Sequence, residues 1–175
     1  MRRLALSLLL AGCGSEPLGD EPAREDRIVL KLVAEDLIRR PDFRVGGAGS
    51  KLVVWDSTEG LSWYITTGQL SSELDDQPPV SMELYNNLKF RNGRKRTLDP
   101  IESTVVVMGT SGRLSDHPDA KGYVRFWLPA YSEDGLTALV RFGFGPTPHG
   151  ACGTYFLAKS GGAWTIRWSK LSFYA

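Results

Sequence analysis

The chain is poor in the residues that most often announce a chemistry. Its 175 residues include two cysteines and two histidines. Two cysteines are too few for a disulfide framework, and His117 and His149 would need carboxylates to complete a tetrahedral zinc site. Lysine and arginine total 21 against 20 acidic residues, a net charge of +1. Without an excess of one sign there is no electrostatic case for nucleic acid. The longest apolar stretch, Leu4 to Ala11, is broken by Ser7 and falls far short of the roughly 20 residues that span a bilayer. No G-x-S-x-G, H-E-x-x-H or phosphate-cradling glycine loop is present. Neither a cofactor nor a metal is expected, and no internal repeat or low-complexity tract breaks up the chain.

What is present begins at the amino terminus. Arg2 and Arg3 precede the short apolar stretch, and small residues follow it, which is the layout of a secretory signal. The segment Leu10-Ala11-Gly12-Cys13 resembles the lipobox of bacterial lipoproteins. That resemblance implies a signal at residues 1–12, cleavage before Cys13 and a diacylglyceryl group on the Cys13 thiol. It also implies a location in the bacterial cell envelope, with the membrane as a partner through the lipid. Two or more acyl chains anchor stably where one is marginal. Gly14 follows the cysteine where an Asp would favour the inner membrane, so the outer membrane or its periplasmic face is expected if the organism has one.

Removal of residues 1–12 leaves 163 residues, and Lys+Arg falls from 21 to 19 against 20 acidic residues. That length suits one core rather than two domains. Residues 14–25, GSEPLGDEPARE, have little apolar content and are expected to form, with Cys13, a flexible tether over 13–25 of at most ~40 Å. Residues 26–175 then form one domain.

Within that domain, DRIVLKLVAEDLIRR (26–40) predicts a helix, with Val29, Val33 and Leu37 at steps of four and Pro41 as the stop. KLVVWDS (51–57) and LSWYITT (61–67) predict strands. Val80, Leu84 and Leu88 predict a second helix after Pro78-Pro79, and Ser103–Met108 a buried strand. Four β runs close the chain, at 123–131, 136–144, 151–159 and 163–173, joined by SEDG, GPTPHG and SGG. The expected fold class is α+β: an antiparallel sheet of about six strands ending in a four-strand meander, with one or two helices on one face. A cone-like arrangement similar to the nuclear-transport-factor or cystatin folds fits that order. With SEDG as a four-residue loop, Tyr131 would face Leu136 and Arg125 and Arg141 would lie on opposite faces. A bulge would reverse that, so a cationic patch of Arg125, Arg141 and Arg167 is left open. The closing segment, with Tyr131-Ser132, Asp134, Ala138-Leu139-Val140, Cys152-Gly153, Lys159 and Trp164, resembles a carboxy-terminal hairpin motif of extracytoplasmic bacterial proteins of uncharacterised activity. It implies strand-turn-strand and no activity.

Candidate chemistry is sparse. His149 and Cys152, three apart, bring an imidazole near a thiol; the plainer reading of Cys152 is a small buried group opening a strand. Asp116, His117 and Asp119 offer metal ligands in what reads more simply as a solvated turn. Asp75-Asp76 and Asp99/Glu102 are carboxylate pairs of the kind glycoside cleavage uses. RNGRKR (91–96) gathers four cations, read as a solvated turn with a plain Asn-Gly signal, against the alternative of anionic headgroups. On that reading the domain binds anionic vesicles weakly or not at all. The expected function is a non-enzymatic binding or accessory module, with an envelope protein or glycan as its partner. The alternatives are a tethered hydrolase using His149/Cys152 or a carboxylate pair, and an inhibitor or immunity protein acting on an envelope enzyme.

Overall fold

The computed structural model describes residues 21–43, 45, 47–60, 80–110, 113–146 and 151–173. Cys13, the strand expected at 61–67, Asp75-Asp76 and His149 lie outside the described residues.

Helix α1 runs Glu21–Arg39. Pro22 in its first turn has the φ a helix start requires and no N–H to lose. Val29, Leu30, Val33, Ala34 and Leu37 are buried at 0–1% exposure. Each large aliphatic among them contributes about 1.5–3 kcal/mol by leaving water. The helix starts five residues before Asp26, so Glu21–Glu25, which the composition assigns to a tether, belong to it. Glu25 is tied down there, accepting from Trp164 Nε1 at 2.6 Å and pairing with Lys159 at 3.1 Å.

One sheet carries the rest. Its strands are β1 (Lys51–Trp55), β2 (Val106–Gly109), β3 (Ala120–Phe126), β4 (Ala130–Tyr131), β5 (Thr137–Gly145), β6 (Ala151–Ser160) and β7 (Ala163–Phe173). The order is β2-β1-β3-β5-β6-β7, with β4 alongside β5. The four-strand meander is present, antiparallel throughout from β3 to β7. The sheet as a whole is mixed, however, because β1 runs parallel to both β2 and β3. Parallel neighbours need a crossover; between β1 and β2 the chain makes helix α2 (Met82–Arg91) on its way back. β2 is an edge strand, half-buried along its length rather than fully buried.

The helices occupy opposite faces, not one. Along β5, Ala138, Val140, Phe142 and Phe144 join the core under α1, while Leu139 joins Leu84, Tyr85 and Leu88 of α2 with Trp127 and Ala130. Between β6 and β7 the turn Gly161-Gly162 has φ of 56° and 81°, the left-handed pair that a two-residue hairpin requires.

Gly153 faces Phe142 across the β5/β6 ladder, and a Cβ there would stand 2.2 Å from the ring. Gly143, on the same ladder, would meet nothing closer than 3.8 Å. Gly153→Ala should therefore cost about 1–3 kcal/mol by overpacking, whereas Gly143→Ala should be neutral or stabilising by up to ~1 kcal/mol through the unfolded state. Urea midpoints of the two variants, measured side by side, check the contrast.

Candidate functional site

The site is built where β3 breaks. Phe126 pairs with Phe142, yet Ala130 pairs with Leu139, so the strand carries one extra residue between them. A one-residue slip exchanges faces: Phe126 points toward α1, and Ala130 toward α2. Trp127 N still donates to Arg141 O at 3.0 Å, but the backbone at 128–129 loses sheet partners that must be replaced.

The end of α2 replaces them. Ser81 caps the helix start by accepting from Leu84 N at 3.2 Å. At the other end Asn92, fully buried, donates from Nδ2 to Leu88 O at 2.9 Å and Leu128 O at 3.0 Å, and accepts from Leu128 N at 2.7 Å. Arg91 donates from Nη1 to Pro129 O and grips Asp26 of α1 with both terminal nitrogens at 2.8 and 2.9 Å. Tyr131 adds its hydroxyl to Asp26 Oδ1 at 2.9 Å and its ring beneath the guanidinium at 5.3 Å. Burial works against the charge of Arg91, but the bonds and charge of Asp26 more than offset it and hold its pKa above the ordinary value. Burial also pushes the Tyr131 phenol far above its ordinary value, and the Asp26 carboxylate pushes it further.

Beside this cluster opens a cleft of about 290 Å³, lined by Asp26, Arg27, Arg91, Arg96, Asp99 and apolar side chains such as Leu30 and Leu128. Asp26 is saturated by Arg91 and Tyr131. Asp99 is half-exposed and 3.9 Å from Arg27. The lining thus offers fixed charges and an apolar floor for recognition, and its one buried carboxylate is committed to holding α1 on α2.

The other residues singled out in sequence are dispersed. Glu102 is exposed and does not line the cleft that Asp99 lines. Cys152 is a buried free cysteine, 7% exposed, whose Sγ accepts from Arg141 Nη2 at 3.4 Å. Asp116 and Asp119 are exposed, and among the described residues no group of three or more His, Cys, Asp or Glu gathers closely enough for a metal ion. Arg125 and Arg141 share a face, because the bulge shifts the register by one residue: Tyr131 pairs with Ala138, but Arg125 pairs with Gly143, two residues along from Arg141. They form no patch with Arg167. Arg125 lies over Trp55 and pairs with Glu59, Arg141 is fully buried, and Arg167 is the extra residue of a second bulge between β6 and β7. Asn92 was the residue that sequence reasoning missed, since an Asn-Gly pair after a helix signals a surface turn equally well.

Among the described residues no helix is long and apolar enough to cross a membrane. Comparison with protein-family models, curated proteins and solved structures finds no match to this chain.

Asp26→Ala strands a partly buried guanidinium and should cost about 1–3 kcal/mol in denaturant unfolding; adding Arg91→Met should recover part of that loss, because the charge goes too, though Pro129 O then loses its donor. The tyrosines set an alkaline limit. Tyr155, like Tyr131, is held well above its ordinary value of 10.0, by burial and by its bond to Asp36 at 2.8 Å. Both bind their proton more tightly folded than unfolded. Their contribution is complete below pH 10 and is lost as pH rises beyond it, at up to about 1.4 kcal/mol per tyrosine per pH unit. Tyr155→Phe should flatten that fall in urea titrations above pH 10.

Proposed function

We propose that the chain is a lipid-anchored protein of the bacterial cell envelope, held by acyl chains on Cys13, and that it acts without catalysis as a binding or accessory module. The observation that carries the reading is the run Leu10-Ala11-Gly12-Cys13 behind two arginines and a short apolar stretch. The cleft beside the first turns of α1 supports the second half of it. Its lining combines one fixed pair, Arg91 with Asp26, with the more open charges of Arg27, Asp99 and Arg96, suited to orienting a ligand. Three of the buried carboxylate's acceptor positions are taken up by Arg91 and Tyr131, which commits it to joining α1 to α2. Cys152, packed under Arg141, serves the fold in the same way. Outer-membrane residence, in an organism with two membranes, follows from Gly14.

Mass spectrometry of protein extracted from membranes should find Cys13 as a modified amino terminus. Cys13→Ser should release the chain or leave it uncleaved, and Gly14→Asp should move it toward the inner membrane of a diderm host. An unmodified terminus at any other residue overturns the anchor. A chain with His149 and Cys152 both replaced by Ala should still rescue whatever envelope phenotype deletion of the chain produces; failure to rescue would reinstate catalysis.

A further inference from the structure

The run 91–96 divides into two parts with opposite fates. Arg91 turns inward to Asp26, so the basic segment is not a run of four solvated cations. The remaining three, Arg94, Lys95 and Arg96, are exposed, and no ion pair among the described residues engages their side chains. Their backbone is fixed. Asn92 pins the turn to Leu128, and Arg96 exchanges bonds with Thr58 in both directions, Thr58 N to Arg96 O at 2.8 Å and Arg96 N to Thr58 Oγ1 at 3.0 Å.

Phe90 stands immediately before this turn, 85% exposed, the most open large apolar side chain described. A Phe left in water beside three uncompensated cations on a rigid turn has the composition of an interfacial contact: apolar insertion plus attraction to anionic lipid.

The turn also sits at the anchor's end of the molecule. Arg91 ties it to Asp26, and Arg96 and Thr97 share the cleft with Ala23, Asp26 and Arg27 of α1. Because α1 starts at Glu21, seven residues (eight Cα–Cα steps) lie between it and Cys13, a reach of at most ~29 Å rather than the ~40 Å of a tether ending at Glu25. The nearby acids Glu25 and Asp26 are already paired with Lys159 and Arg91.

We propose that Phe90 with Arg94, Lys95 and Arg96 forms a second membrane contact that docks the body onto anionic lipid. It rests on the anchored reading for its biological setting, and its occupant is the lipid surface itself. This reverses the expectation from composition, because the shorter tether and the exposed Phe90 were not visible there.

The test uses the chain from residue 13 onward carrying Cys13→Ser, so that neither an acyl group nor the basic and apolar segment 1–12 contributes in any arm. Sedimentation with vesicles of phosphatidylcholine and phosphatidylglycerol should show binding that weakens with salt and is absent on phosphatidylcholine alone. Each cation is worth about fivefold, so Arg94→Glu, Lys95→Glu, Arg96→Glu together should weaken binding by on the order of a hundredfold. Phe90→Ser should weaken it several-fold while leaving the salt dependence. All four positions are exposed, so thermal melts should match the parent. Equal binding by the parent and the triple variant, or binding indifferent to lipid charge, overturns the proposal. So does displacement by inorganic phosphate at constant ionic strength, which would assign the turn to a soluble anion. Failure here leaves acylation of Cys13 untouched, and an unacylated Cys13 leaves this binding intact.

Discussion

A one-residue excess in β3/β4 creates the constraint around which this fold is arranged. The bulge frees the backbone at Leu128 and Pro129, which would cost about 1–3 kcal/mol per buried unpaired group. Two consecutive side chains at the end of α2 meet that need. Asn92 takes both groups of Leu128, and Arg91 takes the carbonyl of Pro129. Having approached that far, Arg91 lies in a partly buried place where its charge requires a counter-ion, and Asp26 supplies it from α1. The bulge, the end of one helix and the start of the other are thus a single connected hydrogen-bonded unit.

That unit also explains how helices on opposite faces of one sheet come to touch. The main core lies between α1 and the face bearing Val124, Phe126, Val140, Phe142 and Tyr155, and the smaller one between α2 and the face bearing Leu139, Phe156 and Trp168. A regular sheet would keep the two apart. The break at 127–129 lets Trp127 and Ala130 join the second cluster while Phe126 stays in the first, and the Arg91–Asp26 pair bridges there. A charge pair so placed adds little net stability over an apolar substitute. Its value is in fixing one orientation of α1 against α2, which in turn shapes the cleft.

The parts of this fold legible in sequence are those whose signal is local. The stripe of Val29, Val33 and Leu37 specifies α1 by itself, and the glycines at 161 and 162 specify the last hairpin because few other residues tolerate their φ. The start of α1 was hidden because Glu21–Glu25 carry no large apolar residue; the contacts of Glu25 to Lys159 and Trp164 reach more than 130 residues along the chain. The face of α2 was hidden for a different reason. In β5 Ala138, Leu139 and Val140 are all apolar, so alternation is silent about which side each serves. The bulge depends on Asn92 arriving from 36 residues upstream, and no pattern within 123–131 encodes that. The parallel β1 is similarly non-local, since direction depends on the path between strands. At the candidate site, the arginines of RNGRKR were legible as a charge extreme, but not their division into one structural and three free cations.

That division bears on what kind of molecule this is. A chain with 21 basic against 20 acidic residues has little long-range field, so any electrostatic recognition must be local and must come from charges the fold leaves uncompensated. Much of the fold works in the opposite direction: Asp26, Glu25, Glu59 and Asp42 are each taken up by a cation nearby. Arg141 is buried against Thr154 and Cys152. Against that pattern of pairing, three cations that no described residue pairs, held on a turn beside an exposed phenylalanine, are an exception. Leaving Phe90 in water costs the apolar burial that a polar residue there would not forgo, and nothing inside the described fold benefits from it. The lipid contact proposed above would supply that compensation, because an anionic membrane surface matches both the cations and the phenylalanine. If Cys13 is acylated as proposed, the nearest such surface is the membrane carrying the tether.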